Sequence, residues 1–85
     1  MANILVIDDE EMMRFTVSTA LEIAGHNVIL AENGKVADEI IEKNPFDLVI
    51  TDILMPEKEG LQTILGIKTG LPDMKIIAMS GGGRT

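Results

Sequence analysis

Ile4-Leu5-Val6-Ile7-Asp8-Asp9-Glu10-Glu11 is the stretch that decides the fold. Four consecutive aliphatic residues suit a strand covered on both faces, as in the parallel sheet of an α/β protein. The run then stops in four carboxylates. Further along, Leu48-Val49-Ile50-Thr51 repeats the arrangement and is followed by Asp52-Ile53-Leu54-Met55-Pro56. If the two strands are neighbours, Asp8, Asp9 and Asp52 meet at one sheet edge. Three like charges in that space require either protonation or a cation. An all-oxygen donor set suits a hard divalent ion, Mg²⁺ above the softer metals.

Between these runs the pattern alternates helix and strand. From about Glu11 to Ala24 the spacing is helical, with Met13, Thr16, Val17, Ala20, Leu21 and Ala24 as the inward stripe and Gly25 as the residue that ends the helix. Val28-Ile29-Leu30-Ala31 reads as the second strand. Asn33-Gly34 supplies a turn or N-cap, Val36, Ala37, Ile40 and Ile41 form a second stripe, and Asn44-Pro45 stops it. Asp47–Thr51 is the third strand. Leu61, Ile64, Leu65 and Ile67 mark a weaker helix, whose interior Gly66 costs ~1 kcal/mol relative to Ala. Gly70-Leu71-Pro72-Asp73 breaks it before a fourth strand at Lys75–Met79. Strands joined through helices imply right-handed crossovers and a parallel sheet. Helices can cover both faces only if the first strand lies centrally, beside the third. Ligands in such sheets bind at the carboxyl ends of the strands, at that switch point.

Composition narrows the function classes. The chain has 85 residues, enough for one domain, and its net charge of −7 argues against nucleic acid as a direct partner. There is no cysteine, hence no disulfide frame and no thiolate chemistry. The start lacks a basic leader, and Ile4–Ile7 is too short to cross a membrane, so the expectation is a soluble, cytoplasmic protein. A dinucleotide site is excluded at the first loop, where Asp8 to Glu11 replace the glycines that cradle a pyrophosphate. A dehalogenase-like phosphatase would want a second Asp two residues after Asp52, where Leu54 stands.

Each acidic group also has a plainer role. Asp8 to Glu11 can complement the positive end of the first helix, at ~0.3–1 kcal/mol per charge, and Asp52 can cap a loop. Ser80 can be an ordinary polar loop residue, and Pro56 can simply start a loop. In combination, the acidic pair after the first strand and the single Asp after the third exceed what capping needs.

Taken together, Asp8-Asp9, Asp52-Ile53-Leu54-Met55-Pro56 and Ser80-Gly81, each at a strand end, resemble the receiver domain of bacterial two-component response regulators. The resemblance covers residues 1–85. It implies a flavodoxin-like α/β fold of order 2-1-3-4 with helices on both faces, lacking the family's last strand and last two helices. It implies that Asp52 accepts a phosphoryl group and that Mg²⁺ is held by Asp9, Asp52 and the Leu54 carbonyl, with Asp8 acting mostly through water. Met55 and Pro56 would shape the loop, and Ser80 would be the switch hydroxyl.

The partner implied is a sensor histidine kinase or phosphotransfer domain. A second apolar stripe on the first helix, Met12, Phe15, Thr19 and Ile23, is either peripheral core or the surface where that partner docks. His26 is expected to be solvated. The family's lysine at the end of its fifth strand has no counterpart: Lys75 starts the fourth strand and Arg84 lies in the tail. The expectation is therefore a fragment with impaired activity. The alternative is a non-catalytic assembly module with a vestigial acidic pocket. Apolar side chains of the first, third and fourth strands are expected to lie bare on the face of the first helix, and to drive self-association there or along the fourth-strand edge.

Overall fold

The four aliphatic runs become the four strands of one sheet. In the computed structural model, which describes residues 1–52 and 59–79, these are β1 (Asn3–Ile7), β2 (Asn27–Ala31), β3 (Leu48–Asp52) and β4 (Lys75–Met79). The helices are α1 (Glu11–Ile23), α2 (Gly34–Lys43) and α3 (Glu59–Gly70). All pairings are parallel and the order is β2-β1-β3-β4, as the sequence implied. Ile7 lies level with Ala31 on one side and Thr51 on the other. This register brings the residues after Ile7 and after Thr51 to the same sheet edge.

Successive side chains of a strand point to opposite faces, so each inner strand feeds two cores. Leu5, Ile7, Ala31 and Val49 pack with Ala37 of α2 and Ile67 of α3, extended by Val36, Ile40, Ile41, Phe46 and Met74. On the other face Ile4, Val6 and Ile50 pack with Val17 and Leu21 of α1.

Helix ends follow local chemistry. The Asn33 side chain accepts a hydrogen bond from the Val36 backbone N–H at 2.9 Å and caps α2. At the end of α1, Gly25 sits at φ +97°, Gly25 N–H donates to the Glu22 carbonyl and His26 N–H to the Leu21 carbonyl. This is a Schellman ending, and the left-handed residue it needs is a glycine.

The structure corrects several side-chain placements. Thr16, Ala20 and Ala24, expected inward on α1, are exposed, and the sheet-facing stripe is Arg14, Val17, Ser18 and Leu21. Apolar residues occur nearly all round this helix, so apolarity left its rotation open. Ser18 is buried because its hydroxyl donates to the Phe15 carbonyl at 3.1 Å. On α3, Thr63 and Ile67 are buried and Leu65 is exposed; the Leu61 side chain lies outside the described residues. His26 is half-buried, its Nδ1 accepting a hydrogen bond from Ala2 N–H at 3.0 Å.

The expected bare face is smaller than the sequence suggested. Ile4, Val6 and Ile50 are buried, Leu48 and Met79 half-buried, and Ile77 of β4 is 51% exposed.

Candidate functional site

The site starts from β1, whose end is fixed from both sides of the sheet. Beyond the last rung of pairing with β2, Asp8 N–H donates to the Ala31 carbonyl at 3.1 Å. This continues the β2 ladder by one residue and buries the Asp8 side chain, which is 1% exposed. The chain then turns: Asp8 Oδ1 accepts the Glu10 backbone N–H at 2.8 Å, and α1 begins at Glu11. Asp52 is the last residue of β3, 6% exposed and level with Met79 of β4. Asp9, between them, is exposed.

The three carboxylates converge. One oxygen each from Asp8, Asp9 and Asp52 lie within 4.8 Å of one another. Opposite ligands of an octahedral Mg²⁺ stand about 4 Å apart, twice the metal–oxygen distance, so a small side-chain adjustment closes this set on one ion. The oxygen Asp8 Oδ2 is buried and, among the described residues, makes no hydrogen bond. A buried carboxylate oxygen without a donor is costly to keep as an anion in water-free surroundings. Burial accordingly raises the Asp8 carboxyl above its usual range, and the neighbouring charges of Asp52, Asp9 and Glu10 push it further, against the Glu10 N–H bond that lowers it. The donor set and this orphaned oxygen fit a hard cation. Arrangements with one carboxylate at a strand end and cation ligands beside it can host displacement at phosphorus, where negative charge has to be gathered.

Of the residues singled out in the sequence, Asp8, Asp9 and Asp52 are brought together. Leu54, Met55, Pro56 and Ser80 lie outside the described residues. Met12, Phe15 and Ile23 form an outward stripe on α1, with Phe15 63% exposed and Thr19 half-buried. Arg14 was missed. Its Nη1 donates to the Asp8 backbone carbonyl at 2.6 Å. The available signal was a lone arginine inside a run of acidic and apolar residues, three positions after Glu11. Among the described residues no helix is long and apolar enough to cross a membrane.

Comparison with known proteins agrees with the fold. The family model described as "Response regulator receiver domain" matches residues 4–85. The chain is 41% identical to the response regulator receiver protein CpdR of Brucella abortus over 92% of its own length, and spans 64% of that relative. It resembles the response regulator TrrA of Thermotoga maritima, solved in complex with Mg²⁺ and BeF, with TM-score 0.86 and 38% identity, covering 92% of this chain and 68% of that one. It also resembles a structure in which the histidine kinase ThkA is complexed with TrrA, with TM-score 0.88 and 36% identity, over 99% of this chain and 72% of the other.

Proposed function

We propose, from the premise that this chain belongs to the response regulator receiver domain family, that Asp52 is a phospho-acceptor charged by a histidine kinase with Mg²⁺ beside it. The observation that carries the reading is the convergence of Asp8, Asp9 and Asp52, one of whose buried oxygens, Asp8 Oδ2, has no donor among the described residues. Asp9 and Asp52 would hold the ion directly and Asp8 through water. By motif, the Leu54 carbonyl would complete the set, Met55-Pro56 would shape its loop and the Ser80 hydroxyl would be the switch that donates a hydrogen bond to the phosphoryl group on Asp52.

What supports Asp52 as the attacking group is that β3 is paired on both sides and ends at this residue. Its carboxylate oxygen forms a bond to the phosphorus of a phosphohistidine. The P–N bond breaks, and the leaving imidazole nitrogen keeps the bonding pair and takes up a proton. Mg²⁺, when bound, offsets the repulsion between the attacking carboxylate and the phosphoryl oxygens. The product is an acyl phosphate of about −2 charge where a single negative charge stood. The outward stripe of Met12, Phe15, Thr19 and Ile23, beside the site on α1, would receive the kinase or phosphotransfer domain, with Phe15 as its anchor.

Incubation with acetyl phosphate and Mg²⁺, followed by mass spectrometry, tests the reading. The parent should gain one phosphoryl group and Asp52→Asn none. An equal label on Asp52→Asn would assign a different nucleophile. An unlabelled, folded parent would favour the non-catalytic assembly module instead.

A further inference from the structure

We infer that Arg14 is a positioning residue for the acidic cluster, aiming Asp9 by holding the peptide that joins it to Asp8. The inference rests on the metal-binding reading above and adds a residue to it. Arg14 lies in the first turns of α1, on the side that faces the sheet, and is half-buried. Its Nη1 donates to the Asp8 carbonyl at 2.6 Å, a short charge-assisted bond. That carbonyl belongs to the Asp8–Asp9 peptide, so the bond sets the plane from which the Asp9 backbone departs.

Three contacts then pin the turn: Asp8 N–H to Ala31 of β2, Glu10 N–H to Asp8 Oδ1, and the Arg14 guanidinium to the Asp8 carbonyl. Asp9 depends most on the third. Its side chain is exposed, and among the described residues no hydrogen bond holds its carboxylate. Its direction is inherited from the backbone. The start of α1 needs a tie of this kind, because the Glu10 side chain makes no capping bond. The Arg14 backbone N–H also donates to the Glu10 carbonyl at 3.1 Å, so one residue grips both ends of the turn.

A guanidinium near a cation site acts through two effects of opposite sign. Its charge alone repels Mg²⁺ and weakens binding. Its hydrogen bond holds the ligand-bearing turn and strengthens binding. Outer groups that orient metal ligands typically contribute 10–100-fold in affinity. Arg14→Met and Arg14→Gln separate the two effects, since both lose the charge and only Gln keeps a donor.

The experiment measures Mg²⁺ affinity by calorimetric titration for the parent, Arg14→Met, Arg14→Gln and Arg14→Lys, alongside amide hydrogen exchange of the metal-free proteins. Arg14→Met should bind Mg²⁺ at least about tenfold more weakly. Arg14→Lys and Arg14→Gln, which keep a donor, should recover part of the loss. In the metal-free proteins Arg14→Met should speed exchange at the Glu10 amide, which is bonded to Asp8 Oδ1, while leaving the Leu5 amide unchanged. Should Arg14→Met not fold, the Lys and Gln variants carry the comparison, each expected to fall below the parent in affinity. Equal or tighter Mg²⁺ binding by Met and Gln would show that only charge matters and overturn the inference. If the parent binds no Mg²⁺, the metal reading fails, and the exchange at the Glu10 amide still decides for or against Arg14.

Discussion

Asp8 is the residue that has most to gain from a cation. Its folded-state carboxyl is raised by burial and by the charges of Asp52, Asp9 and Glu10. A raised group contributes stability that is fully present below the unfolded value and is lost as pH rises through the folded one. The metal-free protein should therefore lose the Asp8 contribution from about pH 3.8 upward. Asp8→Asn removes that loss. Urea midpoints of metal-free Asp8→Asn and parent should diverge in favour of the variant as pH rises toward neutrality, and a gap that narrows instead would contradict the assigned cause. The complementary expectation concerns Asp9. Millimolar Mg²⁺ should raise the melting midpoint of the parent, by up to roughly 2.7 kcal/mol of stability at a hundredfold excess over Kd, and should leave Asp9→Asn unmoved. Equal midpoints for the parent with and without Mg²⁺ would count against a metal site.

At the scale of elements, the strands and the chain order were readable because a buried parallel strand leaves an unbroken aliphatic run. Ile4–Ile7 and Lys75–Met79 each coincide with the observed strand to within a residue. The acidic cluster was readable for the same reason, since order and register alone bring the ends of β1 and β3 together. Helix rotation was not. The Met12, Met13, Phe15, Val17, Ala20, Leu21 and Ile23 side chains offer α1 several apolar faces, and the choice fell to the one that lets Arg14 reach the Asp8 carbonyl and Ser18 satisfy its own hydroxyl. Sequence patterns score apolarity and pass over polar groups whose partners are supplied by the backbone. Helix ends carry separable energies. Asn33→Ala should cost about 1 kcal/mol by removing the cap on Val36 N–H, and Gly25→Ala about 1–2 kcal/mol because φ +97° is strained for any Cβ. Urea denaturation measures both, and a neutral Gly25→Ala would mean the turn relaxes to another ending.

At the scale of the molecule, β2 and β4 are the edges of the sheet among the described residues, and the β4 side carries the more exposed apolar side chain. Ile77 is half-exposed on the α1 face, and β4 is the last strand of the described sheet. Exposed strand edges bearing apolar side chains recruit further strands or chains. We expect concentration-dependent self-association in sedimentation equilibrium, weakened in Ile77→Lys, which puts a charge on that face. A parent that stays monomeric at high concentration would show that β4 is adequately protected as it stands.

The pairing of β1 with β3 also bears on how the molecule folds. Asp47 N–H donates to the Asn3 carbonyl and Asn3 N–H to Asp47 Oδ2, a clasp across 44 residues of chain at the foot of this strand pair. Contacts so distant in sequence close late, because the loop entropy is spent before the contact returns anything, and folding slows as such contacts predominate. Helices α1 and α2 can form from neighbouring residues, whereas the meeting of Asp8 with Asp52 needs the long-range pairing of β1 with β3. We therefore expect the acidic cluster to be absent from partly folded chains in which β1 and β3 have not yet paired, since its two strand ends are brought together only by that pairing.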